Sequence, residues 1–424
     1  MESVNVKRRR IRYIGFFCCL LTAVIIFGQL FGMPGEIKDA VTGSLIFGAS
    51  LKFPWPYTAC PIFFHFADRF CILSVRQMIS LTIFLNLGWI MYRLLLFWGK
   101  GWSWSGLGRE GVRYFFFQVV YFCAIAFAVL VPRPMAKLEL SDPELLAVDF
   151  HSHTNHSWDA RRSFTPIRNL QWHRSAGFHA AFITDHNRIT GSREAIETQG
   201  FGALGIVPLQ GEEVSLFTSH WAVLGVRELI NNSEYDRGMD GIRDLLQYLN
   251  LKKETIVIAS LPEYWKYHWP DGLEKFSQWG VNGFEIVNSA PQALDMPPSV
   301  RNQVIDFCRV HNLIMTGITD SHGWGSTVYA WNLLRIPGWK NTPKPELEAR
   351  IIKHLQENRF KAVQVAVRVK AEMPEKLWGL ILDPILQFWS LARSLTSIHA
   401  IGFLIWLWSP WGIWYALKKE DTHT

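Results

Sequence analysis

An uncharged run of about twenty residues has few ways to fold, and this chain holds four such runs. Residues 13–33 and 114–131 contain no Asp, Glu, Lys or Arg; residues 78–98 are interrupted only by Arg93, and the tryptophan-rich run 398–417 only by Pro410. In lipid every backbone N–H and C=O must be paired within its own segment, so each run reads as a membrane-spanning helix. Lys7 to Arg10 ahead of the first run give it the look of a signal peptide, but no small-residue cleavage pattern follows, and further runs do. A retained anchor is the expectation. Charged residues make up 19% of the 424, against 14% aromatics with 20 tryptophans, too apolar for an ordinary soluble domain. The chain is expected to be an integral, multi-pass membrane protein.

The net charge of +7 is carried largely by Lys7, Arg8, Arg9, Arg10 and Arg12, beside the first run. Such a cluster faces anionic lipid and sets orientation, so no nucleic-acid partner is expected. Lys100, Arg109 and Arg113 between the second and third runs, and Lys418 and Lys419 after the fourth, fall on the same side if there are four spans. Both termini are then cytoplasmic, and residues 132–395 lie on the non-cytoplasmic side. Residues 45–66 are apolar but carry Pro54, Pro56 and Pro61, which reads as an exposed or interfacial loop. Residues 377–391 carry Asp383 and Pro384 and read as an interfacial helix rather than a span. Cys60 and Cys71 share the first loop, where a disulfide could form.

Between the spans, strand-like and helix-like segments alternate. Residues 145–150, 180–184, 206–209, 221–226, 255–259, 283–287 and 313–319 have strand character, with helical patterns at 241–251, 273–279, 299–310 and 346–357. This predicts an α/β domain over residues 138–370 with a mainly parallel sheet, after a membrane region 1–137 and before a C-terminal membrane segment 371–424. Metal-type side chains gather where the strand-like runs end. His151 and His153 flank Ser152, and alternation on a strand points both imidazoles to one face. Thr184-Asp185-His186, Gly211-Glu212-Glu213 and Asp320-Ser321-His322 follow later runs. Neutral imidazoles with carboxylates are ligands for zinc, manganese or iron. No G-x-S-x-G element, P-loop or zinc-ribbon cysteine spacing is present.

In order and spacing these clusters resemble the PHP (polymerase and histidinol phosphatase) family of metallohydrolases, over residues 145–369. The family's HxHT is met by His151, His153 and Thr154, its aspartate after a serine by Asp159, its TDH by Thr184, Asp185 and His186. Its G-x-E is met by Gly211 and Glu213, its next histidine by His220, and its final DxH by Asp320 and His322. The resemblance implies a distorted (β/α)7 barrel, in addition to the transmembrane helices, and two or three divalent ions (Mn, Zn or Fe). It implies His151, His153, Asp159, His186, Glu213, His220, Asp320 and His322 as metal ligands, with Glu213 rather than Glu212 bridging, and Asp185 and His322 assisting catalysis. Asp185 is expected to act by orienting an imidazole. A plain helix cap is the alternative for Asp159.

One position departs from the family. Leu261 stands before Pro262 where a histidine is common, which leaves either two ions or a substitute such as His268. His156, His173 and His179 read as solvated or structural, while Arg161, Arg162, Arg188 and Arg193 are candidate phosphate clamps. The implied activity is hydrolysis by a metal-activated water, of a phosphoester in the first instance. A PHP-type nuclease, an ester or carbamate hydrolase, and a non-catalytic membrane receptor or scaffold that keeps the barrel are the alternatives.

Overall fold

The computed structural model describes residues 4–33, 35–97, 104–199 and 204–420; Lys100 lies outside the described residues. Twelve strands form one sheet: β1 Glu36–Asp39, β2 Leu45–Lys52, β3 Lys137–Leu140, β4 Leu145–Asp149, β5 Ala180–Ile183 and β6 Val207–Leu216; then β7 Ser219–Leu224, β8 Ile256–Ala259, β9 Gly283–Asn288, β10 Ile314–Ile318, β11 Ala330–Arg335 and β12 Gln364–Arg368. Their order is β10-β9-β8-β7-β6-β5-β4-β11-β12-β1-β2-β3. The central strands Leu145–Asp149, Ala180–Ile183 and Ile256–Ala259 are buried on both faces, which is why they read as continuous apolar runs rather than alternating ones.

One expectation, a mainly parallel sheet, is corrected. The sheet is mixed: β4, β5 and β6 run parallel, as do β8, β9 and β10, but β7 pairs antiparallel with both β6 and β8. It is also open, with no ladder between β10 and β4, so a closed seven-stranded barrel is not what the pairing gives. The two strands are linked by side chains instead. Buried Asn332 on β11 accepts from Gly317 N (2.8 Å) and donates to Gly317 O (2.6 Å) and Val148 O (3.1 Å). Asp149 accepts from Thr319 N (3.2 Å), and Ser152 and Ser321 form an isolated parallel bridge.

Residues 45–66 also differ from expectation. They are not a loop but β2 and the short helices Pro56–Ala59 and Pro61–Cys71, the prolines sitting at helix starts where a missing N–H costs nothing. β1 then pairs with β12, more than three hundred residues away in the chain. Cys60 and Cys71 are free and occupy opposite ends of the Pro61–Cys71 helix. Eleven residues of helix span roughly 16 Å, and a disulfide tolerates about 7 Å at most between Cα atoms.

Three helices are long and apolar enough to cross a membrane among the described residues: Ile11–Leu30, Val75–Leu96 and Gly106–Leu130. The last two form an antiparallel hairpin. Arg93 meets Glu110 at 2.6 Å, Gln118 donates to Asn86, and Thr82 bonds Tyr121. The fourth expected span is a helix, Ser397–Glu420, whose side chains beyond residue 412 lie outside the described set. Helix Leu377–Ser394 has Leu377, Trp378, Ile381 and Ile385 exposed along one side, while Asp383 turns inward to Gln77 at 2.9 Å.

Buried Asp68 locks the helical part to the sheet. It accepts from Arg133 (3.0 Å), Thr327 (2.9 Å), Tyr57 (2.9 Å) and, from β12, Arg368 (2.9 Å). Removing a carboxylate that holds the buried guanidinium of Arg133 and the largely buried one of Arg368 leaves them uncompensated, at a cost of about 3–5 kcal/mol. Asp68→Ala should therefore lower the unfolding midpoint of the detergent-solubilised protein strongly. Glu139→Ala, which breaks the exposed pair with Lys52, should cost no more than about 1 kcal/mol. Equal losses would refute the locking role.

Candidate metal centre

The ends of β4, β5, β6 and β10 and the start of β7 surround one point. His151 and His153 leave the end of β4 on the same face, with their Nε2 atoms 3.1 Å apart. From β6, with β5 between it and β4, Glu213 brings both carboxylate oxygens to that point. Its Oε1 lies 3.2 Å from His151 Nε2 and 2.7 Å from His220 Nδ1, and its Oε2 lies 3.3 Å from His153 Nε2 and 2.8 Å from His186 Nδ1. Asp320 Oδ1 is 3.1 Å from His153 Nε2, and Asp159 Oδ2 is 3.2 Å from Nε2 of both His186 and His322. All eight residues expected as ligands are thus gathered in one place. Asp159 stands in a loop with no helix after it, so the cap alternative fails. Asp320 and His322 do not converge by strand alternation, because β10 ends at Ile318 and Asp320 takes a left-handed φ of 49°.

The partners of each imidazole fix which nitrogen faces the centre. His151 gives Nδ1 to Glu285 Oε1 at 2.8 Å, and His322 gives Nδ1 to the Asp320 carbonyl at 2.8 Å. Ser157 donates to Asp185 and so accepts from His153 Nδ1 at 2.9 Å. In each case the Nε2 lone pair is left pointing inward. Asp185 itself stays away from the centre: it binds Thr154 N (2.6 Å), Thr154 Oγ1 (2.8 Å) and Ser157 Oγ (2.9 Å). It therefore positions His153 through Ser157 and is not placed alongside His322 as a reacting group. Gly191 makes room for this, since a Cβ there would sit 2.0 Å from Asp185 Oδ2.

Glu212 points the other way, accepting from Ile230 N at 2.9 Å, and burial lifts its carboxyl to about 7. The remaining expectations divide. Leu261 is buried at the start of helix Leu261–His268 and contributes nothing, and His268 does not replace it, being bound to Ser219 Oγ (2.7 Å) and Thr218 O (2.8 Å). His173 is structural, 2.8 Å from Asp149, and His179 accepts from Ala147 N. Of the four arginines, Arg161 and Arg193 donate to the carbonyls of Leu130 and Arg227, and Arg162 and Arg188 do not line the cavity. Sequence reading missed Glu285, Glu263 and Tyr264. Glu263 reaches within 3.9 Å of His220, and the Tyr264 hydroxyl is 2.9 Å from His220 Nε2. A lone carboxylate between Phe284 and Ile286 in an apolar strand was the available signal for Glu285.

The donor set fits divalent cations. Three groups, His151–His153–Glu213, His186–Glu213–His220 and His153–His186–His322, each have ligand atoms within 4.8 Å of one another. Metal–nitrogen and metal–oxygen bonds of about 2 Å bring neighbouring ligand atoms to roughly 3–4 Å. Asp159 Oδ1 is buried without a hydrogen-bond partner, and both Glu213 oxygens and His322 Nε2 meet their neighbours at ion-pair distance without hydrogen-bond geometry, as groups gathered for coordination would. The charge balance agrees. Burial lowers the affinity of His151 and His186 for protons, yet Glu213 and its neighbours override it, holding His151 well above its usual range and His186 at about 10. His322 is likewise at about 9 despite burial, through Asp159, whereas burial beside His322 takes His153 down to about 3. The carboxylates call for positive charge, and cation binding would displace those protons.

The centre opens into a cavity of about 680 Å³ whose lining includes Asp159, His186, His220, Glu263, Asp320 and His322 and, among the described residues, no arginine or lysine. No protein-family model and no curated protein matches the chain. Among solved structures it is similar to a provisionally named metal-dependent phosphoesterase from Bifidobacterium adolescentis, with 16% identity and a TM-score of 0.33, over 42% of this chain and 87% of that one. PsfC from Pseudomonas syringae gives 18% identity and 0.32, over 46% and 83%. An amidohydrolase from Chromobacterium violaceum, solved with sulfate and no metal, gives 15% and 0.33, over 48% and 96%.

Glu213→Gln removes the one group shared by the His151–His153–Glu213 and His186–Glu213–His220 triads and should cut bound zinc or manganese in the full-length protein at least tenfold. Glu212→Gln resembles the protonated form already favoured by burial and should leave metal content unchanged. Equal losses, read by elemental analysis, would contradict the facing described.

Proposed function

We propose that this chain is a membrane-anchored, metal-dependent hydrolase that cleaves a phosphoester. The observation that carries the reading is the sharing of one buried carboxylate, Glu213, by four imidazoles whose outer nitrogens are already engaged or oriented. His151, His153 and Glu213 would hold one zinc, manganese or iron ion, and His186, Glu213 and His220 another, with Asp159, Asp320 and His322 completing the set. Leu261 removes one donor from any third position. Ions bound there lower the pKa of a coordinated water and offset charge on the oxygens of an ester.

The chain's own groups supply the rest. Glu285, Ser157 and the Asp320 carbonyl keep three imidazoles in one tautomer and one orientation. Glu263 is raised to about 7, first by burial and then by Asp320, so its carboxyl can hold or release a proton near neutral pH. Burial keeps the Tyr264 hydroxyl protonated, available to donate to a substrate oxygen beside His220.

The seven consecutive neighbours β4 to β10, with the Ser152–Ser321 bridge, support reading this part as a distorted PHP-type (β/α)7 barrel. The domain limits 1–137, 138–370 and 371–424 belong to the same reading, with the qualification that β1 and β2 lend strands to the central sheet. The placement of the catalytic part outside the cytoplasm is supported by helix polarity. The sheet-side ends are Leu30, Val75, Leu130 and Ser397, and the basic residues cluster toward the opposite ends. A second reading, cleavage of a carboxylic ester or amide, is favoured by the absence of arginine and lysine from the cavity lining, which leaves a neutral group as acceptable as an anionic one. A nuclease is disfavoured on the same ground, since polyanions are met by cationic side chains.

The test uses the full-length protein in detergent. Hydrolysis of bis(p-nitrophenyl) phosphate should disappear with chelator and return with manganese, zinc or iron. Asp159→Asn should lower kcat at least a hundredfold. Hydrolysis of p-nitrophenyl acetate alone would select the second reading, and stoichiometric metal with neither activity would overturn the hydrolase. For sidedness, Lys253→Cys in intact cells should take up an impermeant thiol reagent above the background of the native cysteines; labelling only after lysis would reverse the orientation.

A further inference from the structure

The cavity has two unlike walls. One is the metal centre. The other is built from the sheet-side ends of the helical hairpin, with Met78 of Val75–Phe97, Val129 of Trp104–Leu130, and Ile72 just before the first of these helices. These helix ends are bonded to the loops that carry the site. Gly325 N, just past His322, donates to Val129 O at 2.8 Å, and Val75 N donates to Pro291 O at 3.2 Å. The two helices are also two of the three apolar enough to cross a membrane. The reaction centre and the start of the lipid-facing surface therefore share one cavity.

The mouth carries the side chains of a membrane interface. Trp158 is 85% exposed and stacks on His186, and Trp324 is 49% exposed under the guanidinium of Arg161. Exposed tryptophans beside helix ends favour the headgroup level of a bilayer. Helix Leu377–Ser394, with Leu377, Trp378, Ile381 and Ile385 exposed, is anchored to the same hairpin by Asp383 and Gln77. A small soluble phosphoester would gain nothing from the Ile72–Met78–Val129 wall and would find no arginine or lysine in the cavity to hold it.

Building on the hydrolase reading, we infer that the substrate is a membrane lipid. Its headgroup ester faces Asp159, His186, Asp320 and His322, and the first part of its chain lies against Ile72, Met78 and Val129. The lipid reaches the centre laterally, at the level of the bilayer surface, without leaving the membrane entirely.

The experiment uses full-length, metal-loaded protein in phosphatidylcholine nanodiscs containing a small fraction of phosphatidylglycerol with a diazirine in its acyl chain. After irradiation, adducts are mapped by mass spectrometry. Adducts are expected at Met78 and Val129, and excess dodecyl phosphate should reduce them at least fivefold while leaving those on the exposed Phe115 and Phe116 unchanged. Glycerol phosphate, the headgroup without a chain, should reduce them less than twofold. Absence of cavity adducts, or loss of cavity and surface adducts in parallel, would overturn the inference. Equal competition by glycerol phosphate would also overturn it, in favour of a soluble substrate. Metal content and phosphodiester turnover are measured on the same preparation. Active, metal-bearing protein without cavity adducts defeats the lipid site alone, whereas cavity adducts on protein that binds no metal defeat the hydrolase reading.

Discussion

A carboxylate with no exposure to water must be matched by positive charge, and the arrangement around Glu213 follows from that demand. Strand β6 is long enough to carry Glu213 past the end of its parallel neighbour, and the turn into β7 returns His220 to the same level. The two imidazoles of β4 and His186 beyond β5 come from adjacent parallel strands, whose ends necessarily lie side by side. Helix capping and surface ion pairs elsewhere are replaceable. The centre is not, because removing any one member leaves other buried charges without a partner.

Holding four strand ends together requires the ends of the sheet to curl toward one another, although no ladder joins them. Asn332 does this with one amide that serves two strands, and Asp149 does it by binding Thr319 while it also orients His173. Gly317 is small because Val365 stands where its Cβ would be, at 2.5 Å. Polar groups of this kind, fully paired inside a core, fix one arrangement where apolar packing alone would permit several.

Much of the centre was legible because its logic is local. Period-two alternation places His151 with His153, and separates Glu213 from Glu212, without reference to the rest of the chain. Asp320 and His322 were found for an incomplete reason, since a left-handed turn rather than a strand brings them in. What escaped was non-local. Glu285 lies in mid-strand, and only the pairing of β9 between β8 and β10 aims it at His151. Glu263 and Tyr264 arrive through a helix whose start, at Leu261, drew notice for the ligand it lacks. β1 and β2 were missed because short strands are recognised by their partners, and β12, which pairs with β1, is remote in the chain.

That remote pairing bears on how the helical part and the part that carries the candidate metal centre depend on each other. A domain cut free at residue 138 would begin inside β3 and would lose β1 and β2, exposing the edge of β12 to solvent. It would also lose Asp68, leaving Arg368 buried against nothing. The same cut removes Ile72, Met78 and Val129, one wall of the cavity, along with the carbonyl of Val129 that receives Gly325. The loop 322–325, with His322 at its start, would then lose that bond and keep the donations of Arg161 N to His322 O and of Trp172 Nε1 to Gly325 O. The long apolar helices are therefore part of the architecture of the centre, and not an appendage to a self-sufficient domain.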